Sequence, residues 1–123
     1  MELKRMSESE EQQALFRWAQ FAAGRYPELK MMYHIPNEGK RSAACGARLK
    51  AEGLRPGVPD ICLPVARGKH HGMYVEMKVD KNKVTPEQDM YMVGLSRQGY
   101  YVAVCYGWQQ ASQMITKYLE GRL

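Results

Sequence analysis

The sequence predicts a single α/β domain over residues 1–123, a mixed sheet flanked by helices in the order αβαββαβα. Three observations carry this reading. Segments with apolar residues three and four apart alternate with short β-prone runs. Two of those runs, residues 60–65 and 73–79, flank a short basic loop with glycines at positions 68 and 72, the pattern of a hairpin. Residues 100–106 form an unbroken apolar run, which suits a central strand covered on both faces. At 123 residues the chain is long enough for one core and too short for two.

Ser7 or Ser9 caps a first helix with Glu8, Glu10 and Glu11 in its opening turn, and the helix stops near Gly24. Its apolar face is Leu15, Trp18, Ala19 and Ala22; extended backwards, that face reaches Gln12, Glu11 and Glu8. Residues 31–35 read as a short strand, residues 36–41 as a polar loop, and residues 42–53 as a small alanine-rich helix ended by Gly53. Leu54 to Pro59 form a rigid turn into the strand beginning at Asp60, and Pro64 marks that strand's end or an edge position. Thr85 and Pro86 start a third helix bearing Met90, Tyr91, Val93 and Leu95. After the strand at 100–106, residues 108–119 form a last helix with Ala111, Met114, Ile115, Tyr118 and Leu119 inward.

The formal net charge is +5 and the isoelectric point about 9.2, which favours a polyanionic partner. Mean hydropathy is −0.54, and no run approaches the ~20 apolar residues of a membrane span. The first eight residues lack the apolar core of a signal peptide, and the three cysteines are scattered with no CxxC. The expected location is the cytoplasm, with no membrane partner and the cysteines as small core residues.

Within the hairpin, Asp60 stands opposite Glu76, closing on Arg67-Gly68-Lys69, or opposite Lys78, closing on Gly68-Lys69-His70. Either register gathers Asp60, Glu76 and Lys78 on one face, because strand side chains alternate with period two and opposed Cβ atoms lie about 5 Å apart. Clustered carboxylates repel unless a cation separates them. Mg²⁺ is held by one or two carboxylates with water and substrate phosphate, and a bound metal acidifies its water and neutralises charge on a scissile phosphate. Lys78 can orient or deprotonate the attacking water or bind the phosphate, the Met77 carbonyl is a further candidate ligand, and Gln88 can reach back over the same sheet end. Alone, Asp…Glu-x-Lys also fits a surface hairpin with cross-strand ion pairs.

Gly57-Val58-Pro59-Asp60, Glu76-Met77-Lys78 and Gln88 together resemble the motifs of the PD-(D/E)xK nuclease superfamily. Within it the chain is similar to the VRR-NUC (virus-type replication–repair nuclease) family in a standalone, phage-type form. The Glu8…Gln12…Trp18 helix, the Ile35-Pro36-Asn37 loop and the Gly99-Tyr100…Val104 strand extend the resemblance over nearly the whole chain. It implies a restriction-endonuclease-like core and Mg²⁺- or Mn²⁺-dependent DNA cleavage, with Asp60, Glu76, Lys78 and Gln88 catalytic. It also implies that a glutamate of the first helix completes the acidic site: Glu8 is the best match, four residues before Gln12, and Glu11 is its rival. A phage-encoded protein of this kind acts in a bacterial host cell.

His34, Asn37, Lys40, Arg41 and Lys69 are candidate nucleic-acid contacts, with Arg48, Lys50, Arg55, Arg67, His70, His71, Lys81 and Lys83 as further basic groups that can follow phosphates. Two-fold assembly gives so small a nuclease two symmetric active sites, and the resemblance implies a homodimer acting on four-way DNA junctions. The competing readings are a flap- or nick-directed nuclease and a non-catalytic basic binding module on the same fold. A sequence-specific cutter fits less well, since no base-reading element is visible.

Overall fold

Ser7 begins the first helix. Its hydroxyl accepts the Glu10 N–H at 3.1 Å and the Glu10 carboxylate accepts the Ser7 N–H at 3.0 Å, a reciprocal cap that satisfies two donors of the first turn. Of the two candidate serines, Ser7 is therefore the cap of α1 (Glu8–Ala22). The computed structural model describes residues 5–36 and 43–123. Leu15 and Ala19 of α1 enter the core, with Trp18 and Ala22 packed at its margin.

A 3-10 turn at Pro27–Met31, started by its proline and anchored by buried Leu29, precedes β1 (Tyr33–His34). The strand expected over residues 31–35 is thus shorter, because the turn takes Met31 and pairing is confined to Tyr33 and His34. The second helix, α2 (Ala43–Ala51), buries no residue. Then come β2 (Ile61–Leu63), β3 (Met73–Lys78), α3 (Pro86–Arg97), β4 (Tyr101–Tyr106) and α4 (Trp108–Leu119).

The sheet runs β1-β2-β3-β4, antiparallel across the first two pairings and parallel between β3 and β4. The expected mixed sheet is present, but among the described residues β4 lies at an edge and not in the centre. Its apolar run arises from cover on both faces. Ala103 and Cys105 face the core, while α3, the crossover from β3, packs on β4 with Val102 beside Met92 and Val93. An edge strand in a parallel pairing sandwiched by helices reads like a central one.

The core lies between α1, α4 and one sheet face: Leu15 and Ala19 meet Ile61, Leu63, Met73, Val75, Met77, Ala111, Ile115 and Tyr118. Tyr118, expected on the inward face of the last helix, is fully buried, and its hydroxyl donates to the Val65 carbonyl at 2.6 Å. Pairing of Ile61 with Val75 sets the register that places Asp60 opposite Glu76. The loop, however, closes differently from either reading. Pro64 has no N–H, the Val65 N–H folds back onto the Leu63 carbonyl at 2.8 Å, and Arg67 pairs with His70 around a Gly68-Lys69 turn. Gly68 takes the left-handed φ of +55° that this tight turn needs.

Candidate active site

At the end of the β2–β3 hairpin remote from that turn, three charged side chains are buried: Asp60 at 5%, Glu76 at 2% and Lys78 at 7% exposure. Burial of such groups is costly unless they are paired or hold a cation. Carboxylate oxygens of Glu8, Asp60 and Glu76 lie within 4.8 Å of one another. Glu8 arrives on the first turn of α1, so the Ser7 cap that starts the helix also sets the position of an acid.

The strand edges do the rest. Because β2 begins at Ile61, the Met77 N–H has no ladder partner there and instead donates to Asp60 Oδ2 at 2.8 Å. N–H and C=O of one strand residue leave by the same edge, so the Met77 carbonyl emerges on the Asp60 side. Lys78 Nζ is 3.6 Å from Glu76 Oε2, and Gln88 Nε2 donates to the same oxygen at 2.9 Å. Glu76 Oε1 is buried with no hydrogen-bond partner. Burial, the nearby Asp60 and, more weakly, Glu8 push the Glu76 carboxyl up to about 8 against the opposing pull of Lys78. Burial and Asp60 likewise raise Glu8. A buried, orphaned carboxylate oxygen among converging acids is the environment a hard divalent cation relieves, so the donor set fits Mg²⁺ or Mn²⁺.

Gln88 is placed by α3's own cap. Thr85 Oγ1 accepts the Gln88 N–H at 3.2 Å and Gln88 Oε1 accepts the Thr85 N–H at 2.9 Å. A glutamate could close this box equally well, but only glutamine also has an N–H for Glu76. Gln88 thus holds Glu76, whereas the sequence suggested a phosphate or water contact. Gly57, with φ +87°, lets the loop touch α3: a Cβ there would sit 2.5 Å from the Glu87 carbonyl oxygen. Neither this contact nor Gln88's engagement with Glu76 was read from the sequence, although a glycine two residues before Pro59 was a signal for close approach.

Glu11, the rival acid, is engaged elsewhere. Gly107 offers α4 no side-chain cap, and Glu11 Oε2 accepts the Trp108 N–H at 2.7 Å instead. His34 lies beside the site, its Nδ1 3.1 Å from the Asp60 carbonyl oxygen and 3.1 Å from the Gln12 amide. Lys69 sits in the Gly68-Lys69 turn, in a separate surface pocket with His70 and Tyr118; the fold does not bring it to the acids. Arg67, another expected phosphate contact, is tied to Glu28 and to the Leu119 carbonyl. Asn37, Lys40 and Arg41 lie outside the described residues. Arg55 lines the acid cleft together with Glu8, Asp60, Glu76, Glu87 and Gln88, so acidic groups outnumber basic ones along this lining.

A family model described as the VRR-NUC domain matches residues 2–109. A solved structure described as a VRR_NUC domain protein superposes with a TM-score of 0.78 and 28% identity, over 95% of this chain and 91% of that one. No curated protein matches.

Proposed function

The chain belongs to the VRR-NUC domain family, a nuclease-type domain, and from that premise and the site geometry we propose a Mg²⁺- or Mn²⁺-dependent DNA endonuclease. The observation that carries this reading is the convergence of Glu8, Asp60 and Glu76 with one buried Glu76 oxygen lacking a partner. Asp60, Glu76, Glu8 and the Met77 carbonyl would hold the ion. When bound, the cation supplies an acidified water and a positive charge at the scissile phosphate. Lys78, buried beside Glu76, orients that water or takes its proton. Gln88 keeps the Glu76 carboxylate turned toward the other acids.

The substrate we propose is branched DNA, the four-way junction first, cut by a homodimer. Support for the second copy is an exposed apolar rim: Met90 is 76% exposed, and Tyr91, Val93 and Tyr106 are also exposed, beside a β4 edge with no further strand among the described residues. The test incubates labelled four-way junction, flap, nicked duplex and linear duplex with Mg²⁺, Mn²⁺ or EDTA. The expected result is metal-dependent cleavage of the junction that disappears in Asp60→Asn. Binding without any metal-stimulated cleavage would replace this reading with a binding module, and preferential cutting at flaps or nicks would reassign the substrate.

A further inference from the structure

We propose that His34 is a positioning residue for Asp60, acting through Nδ1–H and fixed in that tautomer by the fold. The inference rests on the metal-site reading above. Asp60 is the strand-end acid, and its carbonyl oxygen accepts the Ile35 N–H at 2.6 Å. The second polar atom against that oxygen is His34 Nδ1, at 3.1 Å. A carbonyl only accepts, so the short contact requires the hydrogen on Nδ1. The Gln12 amide, 3.1 Å from the same nitrogen, can satisfy it in either orientation, since amide O and N interchange by a flip. With Nδ1 a donor, Gln12 presents its oxygen.

Asp60 is thereby gripped through its carbonyl by Ile35 and His34 and through its Oδ2 by the Met77 N–H. Gln12 stands one helical turn after Glu8, on the same face of α1. The helix that delivers one acid to the cluster also braces the ring that holds another. Groups of this kind aim metal ligands, and losing one costs 10–100-fold in metal affinity or activity. This role differs from the DNA contact expected of His34 from the sequence, which would be made through Nε2.

Asparagine places its amide nitrogen where histidine has Nδ1, while glutamine places it near Nε2, so the two substitutions separate the roles. Mn²⁺ affinity is measured by calorimetry for the full chain and for His34→Asn, His34→Gln and His34→Ala, with DNA affinity measured alongside in EDTA. The expected result is near-normal Mn²⁺ binding in His34→Asn and a loss of about 10–100-fold in His34→Gln and His34→Ala, with DNA affinity in EDTA unchanged. Nitrogen-15 NMR of the unsubstituted, metal-free protein, with the ring neutral, should show a protonated Nδ1 and a bare Nε2. An Nε2–H tautomer would overturn the proposal, as would a His34→Asn variant that binds Mn²⁺ no better than His34→Gln. Loss of DNA affinity with Mn²⁺ binding intact would also overturn it, in favour of a DNA contact. Failure of the unsubstituted protein to bind Mn²⁺ would sink the metal site itself, and the tautomer would still decide the His34 contact.

Discussion

Glu76 holds its proton more tightly in the folded chain than an ordinary carboxyl does. Its carboxyl is pushed from an ordinary 4.5 up to about 8 by burial and then by Asp60. The folded chain therefore binds this proton more tightly than the unfolded chain. The stability it contributes is complete below about pH 4.5 and is lost as pH rises through about 8. Urea denaturation in EDTA should show stability falling across that window, and saturating Mg²⁺ or Mn²⁺ should flatten the fall by replacing the proton. Glu76→Gln, a mimic of the protonated acid, should be at least as stable as the unsubstituted protein at pH 8 in EDTA, while cleaving nothing. Lys78→Ala should lower the single-turnover cleavage rate by about 10²–10⁴-fold, the range of a group that manages a proton. Asp60, Glu76 and Lys78 were legible in the sequence because period-two alternation puts them on one face in either of the two hairpin registers the loop length suggested. Glu8 and Glu11 were not separable, since residues three apart on a helix share a face. What separates them is Gly107, far along the chain, whose lack of a side chain leaves the α4 terminus to Glu11.

Two element junctions carry the site. Glu11 spans from α1 to the start of α4, so Glu11→Ala should cost about 0.5–2 kcal/mol of stability, as the loss of a helix cap does, with Mn²⁺ affinity kept. Glu8→Ala should do the reverse, removing carboxylate repulsion and costing metal affinity. Paired urea melts and Mn²⁺ titrations distinguish them. At the other junction, Gly57→Ala would drive a Cβ to within 2.5 Å of the Glu87 carbonyl oxygen. It should lower the melting temperature and weaken cleavage together, because the same turn of α3 carries Gln88 to Glu76. The elements themselves were mostly legible from caps and periodicity, as with Thr85-Pro86 and α3. The hairpin loop was not, because Pro64's missing N–H ends the ladder early and shifts the closing pair. Nor was the edge position of β4, because helices cover its two faces as neighbouring strands would not.

Across the whole molecule, an acidic cleft sits in a chain of net charge +5, so long-range attraction for DNA and local repulsion at the cleft coexist. The cation proposed for the cleft would reconcile them, and DNA affinity should accordingly rise with a non-catalytic divalent ion such as Ca²⁺. The surface assigned to the homodimer is a matter of light scattering: Met90→Glu or Tyr91→Glu should convert a dimer to a monomer, and an unchanged mass would move the interface elsewhere. The central claim, that Glu8, Asp60 and Glu76 hold one divalent cation, is tested most directly by Mn²⁺ calorimetry at pH 7 in two buffers of different ionisation enthalpy. The expected result is saturable binding with release of about one proton per ion, the proton of Glu76, since metal ligands deprotonate on binding. Absence of binding, or identical binding in Asp60→Asn and Glu76→Gln, would contradict it.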